Sequence, residues 1–170
     1  MARKRPIVGV VMGSDSDLET MRRCMKQLDE FGIVHEVRII SAHRTPDTAH
    51  EYAATAIQRG LKVIIAAAGM SAALGGVLAA NTTLPVVGVP MASGPLVGVD
   101  AAMSTMQMPP GIPVACMAIG GAGATNAAIY AAEILATSDK KLAAKLSRFK
   151  KAQARKVAKK DSDLRKSLQA

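Results

Sequence analysis

Short runs rich in Val and Ile alternate with helix-like stretches five times along this chain, and that alternation constrains its fold more than any other feature. The runs at 6–12, 34–40, 61–68, 84–89 and 113–119 read as strands. The stretches at 17–31, 46–59, 71–80, 99–107 and 122–136 read as helices. In the first of these, Leu18, Met21, Met25 and Leu28 recur at helical spacing and share a face. Pro46 suits the first position of the second helix and Gly60 its end. Strand and helix repeated in this way mean βαβ units with right-handed crossovers around a parallel sheet. Near-continuous Val/Ile runs suit strands covered on both faces. The expected fold is α/β: a three-layer, flavodoxin-like doubly wound parallel sheet forming a single domain.

The net charge of +9 at first suggests a nucleic-acid partner. Its distribution argues otherwise. Residues 139–170 hold 12 Lys or Arg against three Asp, whereas the rest of the chain has 10 basic and 10 acidic residues. The expected organisation is therefore an α/β domain over 1–138 and a basic C-terminal helical extension over 139–170. In that extension Leu142, Leu146 and Phe149 lie on one side. A nucleic-acid arm would set base-stacking or groove-reading groups beside its cations, and Phe149 is the one aromatic there. The segment reads as a solvated or interface helix, and nucleic acid is not an expected partner. No apolar stretch approaches the roughly 20 residues of a membrane span. The apolar run at 7–12 is too short for a secretory signal, so the expected location is cytoplasmic. Cys24 and Cys116 lack CxxC spacing and read as reduced thiols. No His, Cys, Asp and Glu cluster has metal-ligand spacing, and no metal is expected.

In such a sheet, ligands bind at the carboxyl ends of the strands. After the first strand comes Gly13-Ser14-Asp15-Ser16-Asp17. Ser14 and Ser16 offer hydroxyls beside helix-start amides, which suits a phosphate; Asp17 suits a sugar diol. Ser16 or Asp17 could equally cap the helix. The pattern is not G-x-G-x-x-G, so it carries no dinucleotide fingerprint. After the second strand comes Ser41-Ala42-His43-Arg44-Thr45-Pro46. Ser41 and Arg44 supply a hydroxyl and a planar guanidinium for a phosphate, and His43 can move a proton near neutral pH. His35 and His50 have no such setting and read as structural. After the third strand, Gly69, Met70, Ser71, Ala72, Ala73 and Leu74 begin a small-residue stretch through Gly76. It would wrap a flat ligand or pack at a subunit contact.

These turns, with GVD at 98–100, QMPPGIPV at 107–114 and AIGGAGATNAA at 118–128, closely resemble the carboxyaminoimidazole ribonucleotide mutases of purine biosynthesis. The resemblance runs from about Pro6 to Ala136. It implies a flavodoxin-like homo-octamer that moves a carboxylate from the exocyclic nitrogen of an aminoimidazole ribonucleotide to ring carbon C4. It implies no ATP, metal or organic cofactor, and passage through aminoimidazole ribonucleotide and CO2 in a closed pocket. Carried over by position, Ser14, Ser16, Ser41 and Arg44 would surround the phosphate. Asp17 would hold the ribose, His43 would lie near the base, and residues 69–74 would line the imidazole and CO2 pocket. The family's third turn resembles Gly-Gly-Ala-Ala-His-Leu-Pro-Gly, and its His is the proposed proton carrier; Ala73 occupies that place here. The related aminoimidazole ribonucleotide carboxylases, which take CO2 directly, also lack the His and share Ser71, Ala73, Leu74 and Gly76. They have Lys where this chain has Arg44. The mutase is the leading expectation, with His43 or an ordered water relaying the proton. A direct carboxylase, or a non-catalytic or altered-substrate homologue, is the alternative.

Overall fold

The computed structural model describes residues 5–169, so most of the basic start of the chain lies outside them. The chain divides into two compact units, one ending at Ile134 and the other beginning at Leu135. The first holds strands β1 (Val8–Met12), β2 (His35–Ile39), β3 (Val63–Gly69), β4 (Val86–Met91) and β5 (Ala115–Cys116). All pair in parallel, in the order β2-β1-β3-β4-β5. This is the flavodoxin-like doubly wound order, in which the chain reverses direction across the sheet between β1 and β3. The connections carry α1 (Leu18–Phe31), α2 (Pro46–Arg59), α3 (Leu74–Ala80) and α4 (Val99–Met106), and α5 (Gly121–Ala136) follows the last strand.

The period-2 geometry of a strand explains the layers. Val11 of β1, Ile64 and Ala66 of β3 and Val86 of β4 face one way and cluster with Tyr52, Ala53 and Ala56 of α2 and Leu74 and Leu78 of α3. Val8, Val10, Val63, Ile65, Val87 and Val89 have the opposite parity and are equally buried. A right-handed crossover places α1 over that second face, and α5 lies beside it: the Arg23 guanidinium of α1 fills the space a side chain at Gly121 of α5 would need. Met21, Cys24 and Leu28 form the buried stripe of α1. Each fully buried aliphatic side chain contributes about 1.5–3 kcal/mol. Burial also pushes the Cys24 thiol up to about 12, so it behaves as a small apolar group.

Four elements differ from the sequence pattern. β2 is an edge strand with Val37 and Ile39 exposed, although its residues resemble those of the covered strands. The chain opens α1 through a 3-10 turn at Asp15–Asp17. α3 begins at Leu74, three residues late, because the Ala73 amide donates to the Ser71 carbonyl at 2.8 Å, a three-residue turn in place of the first helical turn. β5 shrinks to two residues, paired with Val87 and Gly88, and Pro113, near its start, has no N–H to give a ladder. The bounds of α2, by contrast, coincide with its punctuation: Pro46 opens it, and Gly60 closes it at φ 96°, where other residues would be strained.

The second unit is built on α6 (Lys140–Gln169), a 30-residue helix. The Asp139 carboxylate caps it, accepting from the Lys141 and Leu142 backbone amides at 2.9 and 3.0 Å. Lys159 and Asp163 pair one turn apart at 2.8 Å, and Arg165 pairs with Asp161 in the same way. No described helix is long and apolar enough to cross a membrane.

Candidate active site

The first site turn grows directly out of β1. The Gly13 amide continues the ladder by donating to the Ala67 carbonyl of β3 at 3.0 Å. Ser14 is extended and caps the 3-10 turn: its Oγ accepts from the Ser16 amide (3.3 Å) and the Ser16 hydroxyl (2.9 Å). It donates in turn to Asp15 Oδ1 at 3.1 Å. The 3-10 turn swings Asp17 inward until only 6% of it is exposed. Burial holds its carboxyl above the ordinary value of 3.8; a hydrogen bond with the Ser14 backbone opposes this, and the neighbouring Asp15 charge adds to it.

The second turn is cinched by Thr45. Its Oγ1 accepts from the Ser41 amide (3.0 Å) and donates to the Ser41 carbonyl (2.9 Å), while its amide donates to the same carbonyl (2.8 Å). The loop between them is thereby held as a tight bend with His43 and Arg44 at its exposed tip. The Arg44 side chain reaches back over the first turn. Its Nε donates to Ser41 Oγ and its Nη2 to the Gly13 carbonyl, both at 3.4 Å. Those two long bonds use two of the five guanidinium N–H donors and leave the others for an anion.

The third turn leaves β3 through Gly69 and the left-handed Met70, which is 56% exposed. The Ala73 amide then bonds the Ser71 carbonyl at 2.8 Å and aims the chain into α3. A fourth turn, after β4, brings in Ser93. A Cβ on Gly69 would collide with Ser93 Oγ, so only glycine lets the two strand ends meet in this way.

Together these turns enclose a cleft of about 530 Å³, a volume suited to a small-molecule ligand. Ser14, Ser16, Asp17, Ser41, Ala42, His43, Arg44, Gly69, Met70, Ser71, Ala73 and Leu74 all line it. Ala72 does not: it is buried and turned away from the cleft. Gly13, Ala68 and Ser93 line it without having stood out as binding residues in the sequence. Ser93 is the informative omission. Its only sequence signal was its place just beyond the fourth strand. Arg44 is the one cation among the lining residues, and His43 the one imidazole. Among the described residues, no three His, Cys, Asp or Glu side chains gather as a metal site would require.

Asp17 carries a stability cost that its buried position makes measurable. Its carboxyl binds a proton more tightly in the folded than in the unfolded chain. The folded state is therefore penalised as pH rises through the interval above 3.8, and the penalty is absent below that value. Asp17→Asn is expected to melt above the wild type at pH 7, with the gap closing toward pH 3. Thermal melts across pH test this, and a gap that is constant with pH would refute it.

Three comparisons bear on these residues. The AIR carboxylase family model matches residues 7–156. The N5-carboxyaminoimidazole ribonucleotide mutase of Bacillus subtilis is 54% identical over 142 residues, covering 84% of this chain and 88% of that protein. The mutase of the same name from Mycobacterium tuberculosis is 48% identical over 165 residues, covering 97% and 94%. Among solved structures, Treponema denticola PurE superposes with a TM-score of 0.81 at 32% identity, covering 94% of this chain and 99% of that one. A variant of Treponema denticola PurE2 gives 0.85 at 30% identity, covering 95% and 99%.

Proposed function

Because the chain belongs to the AIR carboxylase family, we propose that it works as a mutase of purine biosynthesis, converting 5-(carboxyamino)imidazole ribonucleotide to 4-carboxy-5-aminoimidazole ribonucleotide. The observation that carries this reading is the convergence of the GSDSD and SAHRTP turns on one cleft, in a chain about half identical to named mutases.

The cleft divides by chemistry. Ser14, Ser16, Ser41 and Arg44 form a hydroxyl- and guanidinium-lined end that suits the phosphate. The buried Asp17 carboxylate accepts from the ribose hydroxyls. Gly69, Met70, Ala73 and Leu74 form a wall of apolar groups that suits the flat imidazole and a neutral CO2. In the reaction the exocyclic N–C bond breaks and releases CO2, and ring carbon C4 then forms a bond to it. The C4 proton leaves and the exocyclic nitrogen gains one, so the net change is an isomerisation. His43 is the lining side chain suited to carry that proton.

The exposed apolar side chains Leu96, Val97, Val99, Met103 and Met106 support self-association, for which the family resemblance supplies the homo-octamer. A cytoplasmic location follows from the same pathway. Direct carboxylation of aminoimidazole ribonucleotide is the second reading, favoured by Ala73 and the Ser71–Gly76 pattern.

Separate incubations decide between them. The N-carboxylated nucleotide alone is expected to be converted without ATP. Aminoimidazole ribonucleotide with bicarbonate is expected to give little product. Bicarbonate-dependent conversion of the second would assign the carboxylase, and conversion of neither would overturn both.

A further inference from the structure

The moving carboxylate needs a donor at the imidazole end of the cleft, and the wall that surrounds it holds no cation. Of the residues lining that end beyond His43, Ser71 and Ser93 alone carry polar side chains. Ser71 is exposed at the rim, whereas Ser93 is half-buried. The geometry fixes where Ser93 points. Its amide donates to the Met91 carbonyl at 2.9 Å, closing a three-residue turn at the end of β4. Met91 is paired in register with Gly69 on β3. The turn therefore folds Ser93 back over Gly69, and the missing Cβ of Gly69 makes room for the hydroxyl. The next residue, Gly94, sits at φ 69° against the Met70 side chain, so two contacts hold the third and fourth turns together. Among the described residues the Ser93 hydroxyl has no hydrogen-bond partner. It is a placed donor facing the cleft with nothing of the protein to bond.

We propose that Ser93 is a substrate-binding residue that donates a hydrogen bond to the carboxylate on the imidazole, and so discriminates carboxylated from uncarboxylated ribonucleotide. The proposal rests on the carboxyl-transfer reading of the cleft and assigns its carboxylate subsite. A hydroxyl suits the task better than a cation would. It holds the carboxylate without pairing it so strongly that loss of CO2 is suppressed, and it tolerates the neutral CO2 that follows.

The test compares equilibrium affinities for 4-carboxy-5-aminoimidazole ribonucleotide and for aminoimidazole ribonucleotide, in wild type and in Ser93→Ala. A hydrogen bond to a charged group is worth enough that its loss is expected to weaken the carboxylated ligand about tenfold or more. Affinity for the uncarboxylated nucleotide is expected to stay within about twofold, which also verifies that the variant is folded. Ser93→Thr keeps the hydroxyl and is expected to keep the discrimination. Equal losses for both ligands, no loss for either, or the same loss in Ser93→Thr as in Ser93→Ala would overturn the assignment. Failure of the mutase reading looks different: the wild type would bind and discriminate the two nucleotides yet not interconvert the N-carboxylated and 4-carboxylated isomers.

Discussion

Replacing His43 with alanine is expected to lower turnover of the N-carboxylated ribonucleotide by about 10²–10⁴-fold, the usual cost of removing a general acid/base, while nucleotide affinity changes little. Isomerisation requires a proton to leave C4 and another to reach the exocyclic nitrogen. Ala73 has only a methyl group to offer, and serine hydroxyls are poor proton carriers near neutral pH. Of the other two histidines, His35 bonds the Ile33 carbonyl at 3.2 Å from the start of β2, and His50 is exposed on α2. Neither lines the cleft, so neither can substitute. The Asp17 carboxylate also lines the cleft but is committed to the ribose in this reading, so His43, held at the tip of the turn that Thr45 closes, is left as the base. Steady-state kinetics on His43→Ala and His43→Asn measure the effect. A variant that keeps full kcat would refute the relay, whereas a loss confined to KM would make His43 a binding residue only.

The fold was legible because its information is local. Val/Ile runs and helical periodicity survive in any sequence window, and Pro46 and Gly60 mark the ends of α2 residue by residue. What escaped was set by neighbours in space. β2 is exposed because it is an edge strand, and that follows from the strand order rather than from His35–Ile39 themselves. The late start of α3 depends on the tight turn from Ser71 to Ala73, in a stretch whose composition reads as helical throughout. The site shows the same division. Residues 13–17 and 41–44 were readable because hydroxyls, a guanidinium and an imidazole are conspicuous just after a strand. Ser93 is a single hydroxyl in a turn otherwise of Met, Ala, Gly and Pro. It reaches the cleft only because β4 lies beside β3. Ala72 shows the opposite case: it lies in the same segment, but its side chain is buried and does not line the cleft.

Arg44 tests the other end of the cleft. Arg44→Ala is expected to raise KM about 10²-fold and leave kcat largely intact, because a phosphate contact distant from the reacting atoms is made equally in the ground and transition states. The magnitude follows from losing charge-assisted bonds worth roughly 1.5–3 kcal/mol each. The structure adds two particulars. The guanidinium is steadied by long bonds to Ser41 Oγ and the Gly13 carbonyl, so it lies between the two hydroxyl-bearing turns and can span a phosphate held by both. It is also exposed, so wild-type affinity is expected to weaken with ionic strength and that of Arg44→Ala to respond less. Arg44→Lys restores the charge but not the planar fork, which alone can bond Ser41, Gly13 and an anion together. It is expected to recover only part of the loss. Unchanged affinity in Arg44→Ala, or full recovery by lysine with an unchanged salt response, would move the phosphate away from this residue.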